Sequence, residues 1–152
     1  MKTIILLAIL SSTVFQDTTV YDTPECWLWY VRDLPIEYRD KPVAMWTEHA
    51  VYQEGVQAIN VFVSNPKSVP LSFGRYWELR VWNGSEWVPP RARFSPFIWR
   101  DDEFVMPKGM LLHCFRFPVG SYYHLPKGKY RVSKSFYARK EEMELSAEFE
   151  IK

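Results

Sequence analysis

Between residues 144 and 151 the chain alternates without a break. Leu145, Ala147, Phe149 and Ile151 are apolar, and Glu144, Ser146, Glu148 and Glu150 between them are polar. A period of two puts one set on each face of an extended strand, so this segment reads as half-buried strand and not as helix. The pattern recurs upstream. Trp77, Leu79 and Val81 alternate with Glu78 and Arg80. Ile59, Val61 and Val63 share a face with Gln57, while Asn60 and Ser64 point away. Tyr130, Val132 and Phe136 mark a strand over residues 129–137. Further strands are expected over residues 43–53, 56–64, 71–82, 86–88 and 110–117, with an extra strand or packed arm over 26–32. Eleven prolines and six glycines fall among these segments and interrupt any long helix. Each strand has one apolar face to bury, and two packed antiparallel sheets bury them all. The expectation is an all-β sandwich of roughly seven to nine short strands.

A chain of 152 residues with 47% hydrophobic residues holds one domain with a real core. Its 17% aromatic content suits strands. The net charge of +1, from 19 basic and 18 acidic residues, argues against a nucleic-acid partner held by bulk electrostatics. Residues 1–16 read as a signal peptide. Met1 and Lys2 give a positive start, Ile4 to Leu10 an apolar centre, and Ser11, Ser12 and Thr13 small residues near a cut. The apolar run falls short of the roughly 20 residues that span a bilayer. No other segment is apolar enough to cross, so no membrane insertion is expected after cleavage. Residues 17–42 then form an N-terminal arm and residues 43–152 the domain. In a secreted or periplasmic protein, Cys26 and Cys114 are a candidate disulfide.

Leu125-Pro126-Lys127-Gly128-Lys129-Tyr130-Arg131-Val132 carries the most specific signal. Turns of this kind lead into a late strand of many immunoglobulin-like sandwiches, where the tyrosine folds back onto the corner. Gly128 and Tyr130 are the structural residues of that reading. Other pieces follow in order: Asn60 to Ser64 with Asn65-Pro66, Leu71-Ser72-Phe73-Gly74, the hairpin from Glu78 to Pro89 around Asn83-Gly84, and Leu145 to Ile151. Together they resemble the bacterial Ig-like domain of small secreted or lipid-anchored bacterial proteins, over residues 43–152. The resemblance implies an immunoglobulin-like antiparallel sandwich and an exported location. It supplies no catalytic residues.

The residues themselves offer little chemistry. His113 and Cys114 are neighbours on a strand and face opposite ways, so one cannot activate the other. His49, His113 and His124 lack metal-ligand spacing. Asp101-Asp102-Glu103 lacks the spaced ligands and glycine of a calcium loop. Asn83-Gly84-Ser85 fits a glycosylation acceptor, but a hairpin turn accounts for it. No catalytic residue, cofactor or metal is expected. The functional lead is aromatic. Trp82 and Trp87 on the hairpin, and Trp99, Tyr122 and Tyr123 on loops, are candidate ligand-binding residues, because flat rings give large contact at low entropic cost. Arg75, Arg80, Arg91, Arg93 and Arg100 crowd the same region, interleaved with Glu78, Glu86 and Asp101. The expected role is a non-catalytic binding module of the bacterial envelope, with an unknown protein or glycan partner. Its rivals are a carbohydrate-binding module using the Trp82/Trp87 face, and a small envelope enzyme or enzyme inhibitor using loops 91–103 and 118–127.

Overall fold

The computed structural model describes residues 29–94 and 97–152, with side chains from residue 33 onward. The expected export signal and Cys26 lie outside the described residues. Eleven strands are described. They are β1 (Trp29–Asp33), β2 (Ala44–Thr47), β3 (Val51–Tyr52), β4 (Ile59–Asn65), β5 (Leu71–Phe73), β6 (Glu78–Trp82), β7 (Trp87–Val88), β8 (Phe104–Met106), β9 (Leu111–Phe117), β10 (Gly128–Ala138) and β11 (Glu141–Ile151). A 3-10 turn at Ile36–Tyr38 and one helical turn, α1 (Val119–Tyr122), complete the set. No helix among the described residues is long and apolar enough to cross a membrane.

The strands form two sheets. The first runs β1-β9-β4-β2 and is antiparallel throughout. The second runs β3-β11-β10-β5-β8, with β6 also on β10 and β7 on β6. The parallel pairing of β3 with β11 is the exception to its antiparallel order. The long β10–β11 hairpin is its spine, in register from Gly128↔Ile151 to Ala138↔Glu141. Arg139 takes the positive φ of 61° in its turn, where glycine is usual.

The core lies between the sheets. Ile59, Val61, Val63, Phe115 and Phe117 meet Phe73, Leu79, Tyr130, Val132, Phe136, Ala147, Phe149 and Ile151. Phe73 packs edge-on to Phe115 with centroids 5.2 Å apart. Burying a large side chain of this kind stabilises the fold by about 1.5–3 kcal/mol. At the corner Tyr130 is wholly buried. Its hydroxyl donates to the Pro126 carbonyl at 2.5 Å, and its ring stacks on Phe149 at 5.4 Å. Burial pushes its pKa up to about 12.

Three expectations change in detail. The strand over 43–53 divides, because the chain leaves the first sheet after Thr47 and joins the second at Val51. The strand over 71–82 divides as well, at residues 74–77. Segment 118–127, expected as loop, contains α1. The alternation in β4 also hides something, since all seven of its residues are buried. A second cluster explains this. Phe62, Leu112 and Cys114 on the outer face of the first sheet pack with Leu34, Tyr38, Trp46 and Met110. β1 pairs with β9 there, and the Leu34 N–H donates to the Met110 carbonyl at 2.6 Å. The described part of the arm is therefore structure, not tether.

His113 stands opposite Val63, on the side of β9 away from Cys114, and is buried. Burial pushes its pKa down to about 4 from 6.5. The folded protein thus keeps it neutral where the unfolded chain takes up a proton, so its contribution is lost as pH falls from about 6.5 to about 4. Urea denaturation across that window is expected to show up to about 3 kcal/mol more acid sensitivity in the wild type than in His113→Gln. Equal slopes would remove His113 as the cause. Tyr130→Phe is expected to lose about 1 kcal/mol, one net hydrogen bond; an unchanged melting temperature would show that the hydroxyl contributes nothing.

Candidate functional site

One edge of β10 serves two strands. Tyr130 to Ser133 pair with β6, and Tyr137 and Ala138 pair with β5. Between these contacts residues 74–77 leave the sheet. Lys134 sits at this gap. Alternation along β10 puts it on the inner face with Tyr130, Val132 and Phe136. It is 3% exposed. Its ammonium donates to the carbonyls of Gly74 at 2.6 Å and Tyr76 at 3.0 Å. The same group lies 5.2 Å from the Phe73 ring centroid and 5.6 Å from that of Phe115. Burial pushes its pKa down to about 8.

Trp77, at the end of the same detour, is buried at the centre of an aromatic cluster. Its centroid lies 5.0 Å from Phe117, 5.7 Å from Tyr122, 5.9 Å from Trp99 and 6.1 Å from Tyr123. Trp99 and Tyr122 are nearly parallel, 8° apart in plane at 5.9 Å. Two loops bring these rings together. The Arg93 N–H donates to Tyr122 O, and the His124 N–H to Arg91 O. The Arg93 guanidinium donates to the carbonyls of Gly120 at 2.7 Å and Tyr123 at 3.1 Å. Phe94 and Phe97 close over Tyr122, with centroids 5.4 and 5.3 Å away. Long loops seldom hold one shape, but backbone bridging and ring packing fix these two.

The gap and the ring cluster border an open cavity of about 570 Å³. Trp77, Trp99, Tyr122, Phe115 and Phe117 form its apolar wall, and Lys134, Arg75 and Arg100 are basic groups on it. Arg116 also borders it, but alternation between Phe115 and Phe117 sends that side chain to the opposite face of β9. Among the described residues no carboxylate lines the cavity. Asp102 stands beside it, hydrogen-bonded to Arg75 and 3.9 Å from Arg100. The Arg75 contact holds the Asp102 carboxyl below its ordinary range.

The bacterial Ig-like domain family matches residues 40–150 of this sequence. The chain belongs to that family. No curated protein matches it. Among solved structures, this Ig-like domain is similar to the crystal structure of the periplasmic chaperone SfaE. The TM-score is 0.47 and the identity 14%, over 73% of this chain and 56% of that one. The chain thus spans little more than half of that chaperone's length.

The Ig-like domain separates the residues singled out from its sequence. Trp99 and Tyr122 meet in the cavity. Tyr123 lies behind it at 8% exposure and supports Trp77. Trp82 and Trp87 are on the β6–β7 hairpin, paired across the strands with centroids 5.4 Å apart. Their planes are tilted by 57°, and the Arg131 guanidinium covers the Trp87 ring at 4.2 Å, so they form no flat row. The hairpin between them turns at Asn83, whose side-chain oxygen accepts from the Ser85 and Glu86 N–H groups, and at Gly84, φ 104°. Among the described residues no three His, Cys, Asp or Glu side chains gather as a metal set. Cys114 is sealed in the outer cluster. Gly128 begins β10, and its added Cβ would meet only the Tyr130 ring and Val81, both at 3.8 Å.

Lys134 was not among the expected site residues. The signal for it was present: Tyr130, Val132 and Phe136 define an inner face, and Lys134 is the charged member of the same series.

Gly120 in α1 carries the loop arrangement. Its N–H donates to Gln57 O at 2.9 Å. A Cβ there would drive into the Val56 carbonyl and come within 2.8 Å of Gln57 Cα, both backbone atoms. Gly120→Ala is expected to cost about 1–3 kcal/mol through overpacking. Chemical denaturation checks this; a loss under half a kilocalorie would mean that α1 slides freely.

Proposed function

We propose that this Ig-like domain is an exported, non-catalytic binding module of the bacterial envelope, and that the cavity beside Lys134 is its ligand site. The observation that carries the reading is the cavity itself. It is concave, open, about 570 Å³, and walled by rings locked by one another. Small-molecule sites have this size and this mixture of apolar wall and few polar groups. The groups on the wall are rings, guanidinium groups and an ammonium, suited to holding a ligand. Export rests on the signal-like residues 1–16 and on family membership. A Cys26–Cys114 bridge belongs to the same reading, because an oxidising compartment would let it persist.

The ligand is a small molecule, or a ring-sized group presented by a glycan or protein. Among the candidate aromatics, the parallel Trp99 and Tyr122 favour the cavity as the contact surface over the tilted hairpin pair. Affinity selection from an envelope extract, read by mass spectrometry with a glycan array alongside, tests this. Trp99→Ala is expected to lose about tenfold or more in affinity for the recovered ligand, about 1.4 kcal/mol, with a lowered melting temperature but a folded protein at the temperature of the binding assay. Full retention by Trp99→Ala with loss in Trp87→Ala would move the site to the hairpin. Turnover of the recovered compound would end the non-catalytic reading.

A further inference from the structure

The three basic side chains on the cavity wall, one of them buried, point to the charge of the ligand. We propose that the cavity selects an oxyanion carried on a ring-sized apolar body, with Lys134 anchoring the anion at the floor and Arg75 and Arg100 at the rim. This rests on the reading of the cavity as a ligand site.

The charge balance is the first support. Among the described residues that line the cavity the charged groups are basic, and Asp102 is the carboxylate beside Arg75 and Arg100, so the lining is positive in balance. The low-dielectric ring wall makes that positive character felt more strongly than it would be in open water.

Lys134 is the second and independent support. Its side chain is more than nine-tenths buried. An ammonium carries three N–H donors. Two go to the carbonyls of Gly74 and Tyr76. The third has no acceptor among the described residues, and no described carboxylate pairs with the group. Carbonyl dipoles and the faces of Phe73 and Phe115 offset part of the cost of removing this charge from water. An anion in the cavity would complete both the hydrogen bonding and the charge. A lysine kept only to tie down residues 74–77 would need no cavity against it.

Volume is the third. A bare phosphate or carboxylate leaves most of about 570 Å³ unfilled. The wall of Trp77, Trp99 and Tyr122 is apolar, with Trp99 and Tyr122 parallel to within 8° and Trp77 edge-on to both, so the remainder of the ligand is a ring that can pack on such faces and edges: an aromatic acid or an acidic sugar. These two sources share the anion and the ring face.

The test is calorimetric titration of the whole protein with phenylacetate, its neutral amide phenylacetamide, glucuronate and inorganic phosphate. The acid is expected to bind about tenfold or more tightly than the amide, which has nearly its shape. Lys134→Met is expected to erase that ratio, and Trp99→Ala to weaken acid and amide together. Because Lys134→Met removes two hydrogen bonds and could unfold the chain, Arg100→Gln is the second variant. That rim side chain is 80% exposed, and its loss is expected to weaken the acid several-fold and spare the amide. Tighter binding of glucuronate than of phenylacetate would assign the acidic-sugar source, and the reverse the aromatic acid. Equal binding of acid and amide, both weakened by Trp99→Ala, would overturn the anion inference while leaving the cavity a ligand site. Phosphate binding as tightly as the ring acids would overturn the ring body. No binding of any probe by the folded protein would overturn the proposal, while a compound recovered from the envelope extract would keep the site.

Discussion

The Lys134 ammonium, held between the carbonyls of Gly74 and Tyr76, lets a single edge of β10 serve both β5 and β6. A strand edge ordinarily continues one neighbour along its length. Here the neighbour is interrupted, and backbone groups in the interruption need partners because they lie against the core. Lys134 supplies donors to two of them. The detour it secures carries Trp77 into the middle of the ring cluster and opens the sheet beside it. Cavity, aromatic wall and rim all follow from that break in pairing.

The sandwich was legible in the sequence because its signals are local. Alternation in residues 144–151 fixes which face of β11 is buried, and Ala147, Phe149 and Ile151 are buried accordingly. Asn83-Gly84 marks the hairpin, and the Pro126 to Tyr130 spacing marks the corner. The breaks at 48–50 and 74–77 were not legible. Val43 to Gln53 and Leu71 to Trp82 each carry enough apolar residues for one strand, and only the opposite sheet decides where each must divide. The buried outer face of β4 was hidden for the same reason, since Asn60 and Ser64 are polar and nothing local says that a neighbour covers them.

The site divides along the same line. Trp99 and Tyr122 stood out as aromatics on loops, but loop position says nothing about which rings converge. Convergence comes from pairs distant in sequence, such as Arg93 with Gly120 and Trp77 with Phe117. Lys134 was the reverse case. Its address was readable from the period of β10, yet an inward lysine gains meaning only when its acceptors are known, and those come from a segment about sixty residues earlier.

The arm laid along β9 bears on solubility. Family similarity begins at residue 40, after β1 and Leu34. A chain trimmed to that boundary would keep both sheets but bare Phe62, Leu112 and Cys114 as an oily strip beside an unpaired β9 edge, a template for sticking to copies of itself. The segment matched by the family and the segment that covers this strip are therefore different lengths of this chain.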